Sequence, residues 1–120
     1  MKHSKLKNYY GLAGLKELKK DKRQKLWRTQ IKNQGFDSTE LWSLDVTIAK
    51  FLLPRLIAFK KNYNETVLDE NKFNKKLKKM ILACKLKIKD MDGAQLSDKE
   101  NRQMIKGFKL LGKYIHALWT

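Results

Sequence analysis

The sequence predicts an all-α fold, a three- or four-helix up-and-down bundle with a proline-kinked central helix. Three observations predict it. One proline and six glycines leave few breaks in 120 residues. Apolar residues recur at i, i+3, i+4 and i+7 over three long stretches, as they do on one buried helical face. No stretch alternates apolar and polar residues long enough to make a strand, and no repeat of solenoid period is present. A chain of this length suits one domain, large enough to bury about two-thirds of its unfolded surface without staples. The expected organisation is a basic N-terminal segment over 1–34, weakly helical or partly disordered, followed by a helical domain over 35–120.

The clearest helix starts after Gly35. Asp37 is a natural N-cap and Glu40, three residues on, completes a capping-box pattern, with Phe36 and Leu41 at the spacing of a hydrophobic staple. Leu41, Leu44, Ile48, Phe51, Leu52, Leu56 and Phe59 then form one stripe, so the helix is expected to run to about Lys61. Pro54 removes a backbone donor and frees the carbonyl of Lys50, which predicts a kink over residues 50–54; a break into two helices is the alternative. A polar loop follows Asn62. Asp69 is the expected cap of the next helix, with Leu68 and Phe73 at staple spacing, and Phe73, Leu77, Met80, Ile81, Cys84 and Ile88 are its buried stripe. Asp92-Gly93 closes it, glycine being the usual left-handed residue past a helix end.

The last helix has the strongest start signal, an S-x-x-E box from Ser97 to Glu100 with Asp98 at the positive end of the dipole. Met104, Phe108, Leu111, Ile115 and Leu118 make its stripe, widened by Ile105 and Trp119. Gly107 and Gly112 lower helix propensity and mark expected places of close packing, which also offer a contact for a homodimer. The core is expected to contain Leu44, Ile48, Leu52, Met80, Cys84, Phe108, Leu111 and Ile115. Ahead of all this, Leu12, Leu15, Leu18, Leu26, Trp27 and Ile31 allow a thin amphipathic helix over about 14–33, ordered when an anionic or protein partner meets it.

Net charge is +16, and its placement is uneven. Residues 1–34 hold eleven Lys or Arg against Glu17 and Asp21. Such asymmetry implies a polyanionic partner, whether nucleic acid, a ribonucleoprotein or an anionic membrane surface, with the membrane the weakest of these. Tyr9, Tyr10 and Trp27 are interleaved with Lys2, Lys5, Lys7 and the basic residues that follow. Phosphate neutralisation by cations together with base stacking on aromatics is the physics of non-specific nucleic-acid binding. The candidate nucleic-acid-binding residues are Lys16, Lys19, Lys20, Lys22, Arg23, Lys25, Arg28 and Lys32. The competing reading is a solvated basic tail whose aromatics tuck against the core.

Other chemistries find no support. Cys84, His3 and His116 are too scattered for a zinc site, and no base lies near a nucleophile in any recognisable frame. The D-M-D-G run ending at Gly93 fails as a calcium loop, because Ile88 and Lys99 would fall at the two charged positions. Gly11 and Gly14 lack the G-K-[ST] ending of a phosphate loop. No catalytic residue, metal or cofactor is expected. A lone cysteine cannot form an internal disulfide and fits a reducing compartment; the Met1 start has no apolar run behind it, so no secretory signal is expected. The longest apolar stretch, from Ile48 to Phe59, is broken by Lys50, Pro54 and Arg55 and is too short to span a membrane.

The segment Gly35–Lys61, GFDSTELWSLDVTIAKFLLPRLIAFKK, resembles a family of small proteins encoded by tailed phages of Gram-positive hosts. The Gly-Phe-Asp start, the Leu-Trp and Leu-Asp steps, T-I-A-x-F and L-P-R-L carry the resemblance. It continues weakly at Lys79-Met80-Ile81 and returns in GFKLLGKYIHALW from Gly107 to Trp119, covering about two-thirds of the chain. The basic first 34 residues depart from it. Small phage proteins of this kind are often made early and act on host machinery or meet host defences such as abortive infection. The resemblance implies a phage-encoded early or accessory effector acting in the host cytoplasm, with no particular chemistry. The expected function is therefore non-enzymatic binding of nucleic acid or a host ribonucleoprotein through the basic N-terminal region. The alternative is a helical surface that binds a host protein.

Overall fold

A computed structural model describes residues 10–62 and 70–119. Every regular element among them is helical, as the apolar spacing predicts. In chain order these are α1 (Gln24–Gln34), α2 (Thr39–Trp42), α3 (Leu44–Asn62), α4 (Glu70–Met91) and α5 (Asp98–Tyr114), with 3-10 turns at Lys16–Leu18 and Ile115–Ala117. The chain forms two compact units, the first ending at Ile48 and the second beginning at Ala49, inside α3.

The first unit is tied together by side-chain to backbone hydrogen bonds. The Thr39 hydroxyl accepts from the amides of Leu12 at 2.9 Å and Ala13 at 3.1 Å, and donates to Asp37 Oδ1 at 2.6 Å. Gln24 Nε2 donates to the carbonyls of Ala13 and Leu18, both at 2.7 Å. Gln30 Oε1 accepts from the Ser38 amide at 2.9 Å. Ala13, Trp27 and Val46 are buried here, with the polar Asp37 and Thr39.

A thin helix over 14–33 is not what forms. Asp21 Oδ1 accepts from the Arg23 amide at 2.8 Å, a local turn that competes with helical hydrogen bonding. The result is a 3-10 turn, a break, and α1 starting at Gln24. Gly35, at φ 85°, ends α1 with its amide on the Ile31 carbonyl at 2.9 Å.

The helix expected from Asp37 is also interrupted. Its start signal forms in part: Glu40 Oε2 accepts from the Asp37 amide at 3.0 Å and Asp37 Oδ1 from the Thr39 amide at 2.8 Å, but the N-cap is Ser38, whose side chain makes no capping bond. After four residues the backbone leaves the helical region at Ser43, where φ is −137° and ψ 71°. The Ser43 carbonyl then accepts from the amides of Val46 and Thr47, both at 3.0 Å, and α3 begins. The helix resumes with a different buried side. Val46, Ala49 and Leu56 are buried, whereas Leu44, Ile48 and Phe51 are exposed. Phe36 and Leu41 are exposed as well, so no buried staple forms. From Pro54 onward α3 remains one helix to Asn62.

In the second unit Ala49, Leu56, Phe73, Leu77, Met80, Ile81 and Cys84 are the buried core, with Leu52, Leu53, Phe59, Phe108, Leu111, Tyr114 and Leu118 packed against it. The α4 stripe is the one the sequence predicts. Asp69 and Leu68, its expected cap and staple, lie outside the described residues. Gly93, at φ 89°, closes α4, and the Ala94 amide reaches the Lys89 carbonyl at 3.4 Å. Both halves of the Ser97 box are present: Ser97 Oγ accepts from the Glu100 amide at 3.1 Å and Glu100 Oε1 from the Ser97 amide at 3.0 Å. Lys89 Nζ meets Glu100 Oε2 at 3.0 Å and links the end of α4 to the start of α5.

Three members of the expected core are corrected. Leu44 and Ile48 are 48% and 46% exposed and Ile115 is 62% exposed. The first two lie outside because α3 restarts at Ser43 and is apolar around most of its circumference, so spacing alone selects no side. Ile115 is turned out because the chain tightens into a 3-10 turn, which rotates each residue further than an α-helix does. Gly107 and Gly112 also part company. A Cβ on Gly107 would fall onto the Lys79 carbonyl oxygen and within 2.5 Å of Ala83 Cβ, so α4 and α5 touch there backbone to backbone. A Cβ on Gly112 would meet nothing within 4 Å.

Candidate nucleic-acid interface

Helix α1 separates its residues by side. Trp27 is buried, Ile31 half-buried, and Gln24 and Gln30 spend their amides on neighbouring backbone and on Ser38. Opposite them, Lys25, Arg28 and Lys32 stand at i, i+3 and i+7, a single exposed stripe about 10 Å long at 1.5 Å per residue. No acidic residue lies within α1. Lys22, also exposed, precedes it in the adjoining turn. Among the described residues no carboxylate pairs with Lys22, Lys25, Arg28 or Lys32.

The remaining candidates are placed differently. Lys16 sits in the first 3-10 turn, Lys19 and Lys20 in the chain that follows it, all three exposed and off α1. Arg23 has a structural position. Its Nε and Nη2 donate to Asp21 at 3.0 and 2.9 Å, and its guanidinium carbon stands 5.1 Å from the Trp27 ring centre and 5.2 Å from that of Trp42. The two indoles meet edge to face at 5.7 Å. Hydrogen bonds from Arg23 hold the Asp21 carboxyl down to about 2, and the guanidinium is correspondingly raised. Arg23 thus clamps the start of α1 to the end of α2. Tyr10 is half-buried, and Tyr9, Lys2, Lys5 and Lys7 lie outside the described residues.

Asp37 and Glu40 are turned to structural work. Asp37 is fully buried with Oδ2 lacking a hydrogen-bond partner. Burial raises the Glu40 carboxyl, opposed by the Asp37 amide and assisted by the Asp37 charge. Leu41, Trp42, Leu44 and Ile48 are all exposed by 46% or more, although apolar periodicity had placed Leu41, Leu44 and Ile48 on the buried stripe.

In the second unit the sequence reading treats the lysines of α4 as a solvated cover, and a finer pattern is missed. The Gly107 crossing brings Lys106 of α5 beside Lys79 of α4, and Lys79 is driven below its ordinary range, first by the charge of Lys106 and then by burial. Lys75 and Lys76 add to that effect. Lys76 and Lys113 flank the ring of Tyr114, at 5.1 and 5.5 Å. The signal that could have found this cluster was Gly107, whose neighbour in sequence must stand against α4 if α5 packs by its glycine.

Cys84 is buried in the core, and burial pushes its thiol up to about 11, leaving it protonated and unreactive at neutral pH. Among the described residues no group of three or more His, Cys, Asp or Glu side chains is placed to hold a metal ion, and no helix is long and apolar enough to cross a membrane.

No family model, curated protein or solved structure matches this chain.

Proposed function

We propose that this protein is a non-enzymatic nucleic-acid-binding protein that engages phosphates through the acid-free face of α1. The observation that carries this reading is the stripe of Lys25, Arg28 and Lys32, joined by Lys22, with no carboxylate paired to it among the described residues. Cations at one-turn spacing on a helix suit a phosphate backbone, and the contact carries no base information. Lys16, Lys19 and Lys20 add long-range attraction, while Arg23 acts on the fold. The resemblance of residues 35–61 to a phage segment supports an accessory role in an infected cell, in the host cytoplasm, with a host ribonucleoprotein as one form of the target. We also take the three long helices as an up-and-down bundle bent at Pro54, with homodimerisation as its assembly.

The test is binding to duplex DNA and to single-stranded RNA over a salt series. Affinity should fall linearly on a log–log plot, with a slope of about −0.9 per neutralised phosphate for duplex and about −0.7 for single strands. Replacing Lys25, Arg28 and Lys32 by Gln should flatten that slope and weaken binding to all sequences alike, with helix content nearly unchanged. Equal affinity and slope in this variant would remove α1 from the interface. A second reading, a host-protein partner, draws on one observation, the exposed Leu41, Trp42, Leu44 and Ile48. It predicts a partner retained by the charge-neutralised variant and insensitive to nuclease.

A further inference from the structure

Folding alone gives no reason to hold two ammonium groups together. Gly107 lets α5 close onto the α4 backbone at Lys79, which sets Lys106, its neighbour in sequence, at the same crossing, and Lys76 of α4 and Lys113 of α5 meet at the Tyr114 ring, at 5.1 and 5.5 Å. The nearest further charges are Lys75 and Lys76, one turn earlier on α4, so the pair is surrounded by more of the same sign. No acidic residue occurs in α4 between Lys72 and Lys89, nor anywhere in α5 after Glu100. Stability by itself would favour a carboxylate at one of these two positions, as it does a short distance away where Lys89 meets Glu100 at 3.0 Å.

We propose that the Lys79–Lys106 pair, flanked by Lys75 and Lys76, is a phosphate-binding site of the second unit that takes a backbone phosphodiester of nucleic acid. An anionic oxygen between the two ammonium groups replaces their repulsion by two charge-assisted hydrogen bonds. Both side chains start from backbone fixed by the Gly107 contact, so the two stems are set at one crossing before the ligand arrives and the exposed ammonium groups adjust to it. Lys72, Lys76 and Lys79 climb α4 at steps of four and three residues, about one per turn of 5.4 Å, with Lys75 beside Lys76. That repeat extends the site along a strand and favours a polymer over a single free anion. Lys76 and Lys113, packed beside Tyr114, continue the basic surface onto α5. The site belongs to the second unit alone and does not depend on the α1 stripe.

The experiment compares K79Q/K106Q with K60Q/K61Q, a control that removes the same charge from the end of α3. Short random-sequence duplex DNA and single-stranded RNA are the probes, with phosphatidylserine vesicles as a third arm. K79Q/K106Q should lower duplex affinity several-fold more than the control and flatten the salt slope by about 0.9, the share of one phosphate. Without ligand, K79Q/K106Q should melt at a higher temperature than the parent, because a repulsion has been removed. The Lys79 amine, followed by NMR, should take up a proton when duplex is added to the parent protein at high pH. Repeating the pair in a K25Q/R28Q/K32Q background separates the two sites. If neutralising α1 changes nothing while K79Q/K106Q still weakens binding, the second-unit site stands and the α1 reading fails. Nucleic-acid binding no weaker than in the control, a lowered melting temperature without ligand, or vesicle binding lost while nucleic-acid binding is kept would each overturn the proposal.

Discussion

Replacing Gly107 by alanine tests the feature that fixes the geometry of the second unit. The added methyl would overlap the Lys79 carbonyl oxygen and come within 2.5 Å of Ala83 Cβ, and the carbonyl belongs to the backbone of a 22-residue helix. It cannot rotate away as a side chain would, so α4 and α5 must separate. Overpacking of this kind costs about 1–3 kcal/mol, while alanine recovers about 1 kcal/mol of helix propensity. The upper part of the first range applies because two main-chain atoms of Lys79 and a fully buried Ala83 crowd the methyl. G107A should therefore lose about 1–2 kcal/mol net. Gly112 supplies the control on the same helix: with open space around it, G112A should gain about 0.5–1 kcal/mol. Urea unfolding followed by far-UV circular dichroism reads both, at unchanged m-value. A G107A protein as stable as the parent would refute the close crossing, and with it the reason Lys106 stands beside Lys79.

Two further substitutions probe the buried polar groups. T39V should cost about 2–4 kcal/mol in urea unfolding, since the amides of Leu12 and Ala13 lose their common acceptor, whereas T39S keeps the hydroxyl and most of the stability; equal losses in the two variants would show that the hydroxyl is not the anchor. Cys84 should resist thiol reagents in the folded protein and react once unfolded. Its folded thiol titrates near 11 against an ordinary value of 9.0, so between those values the unfolded chain holds fewer protons and stability falls as pH rises. C84A should lose that component, and parallel pH profiles for C84A and the parent would contradict the burial of the thiol.

The parts of the fold legible in the sequence were those fixed by local chemistry. The Ser97–Glu100 box and the Gly93 stop each depend on residues within five positions of one another and form as predicted, and of the Asp37–Glu40 start the Glu40 half forms. The α4 stripe was legible because eight lysines leave one apolar side. α3 was not, because the segment LDVTIAKFLLPRLIAFKKN offers two apolar sides, and the break at Ser43 decides between them. Arg23 shows a different limit. In the sequence it is one cation among many, and only the long-range meeting of Trp27 and Trp42 turns it into a clamp.

Charge density along the chain and charge organisation in space are therefore different quantities. The first 34 residues are the most densely basic part of the chain, yet one of their cations is tied to Asp21 and two indoles, and four of the other described ones lie on the chain ahead of α1. What remains organised there is the short stripe from Lys25 to Lys32. The second unit spreads its excess over a longer stretch of chain, but a glycine contact brings lysines of two helices toward one place. Like charges brought together on rigid elements cost stability whenever no anion is present, and dispersed charges on turns cost little. The Lys79–Lys106 pair is thus the stronger sign of a ligand, although residues 1–34 are the more basic by composition. High salt should stabilise the free protein through that pair while weakening its hold on nucleic acid. A protein whose stability rises with salt as its affinity falls has placed its positive charge for binding and not for folding.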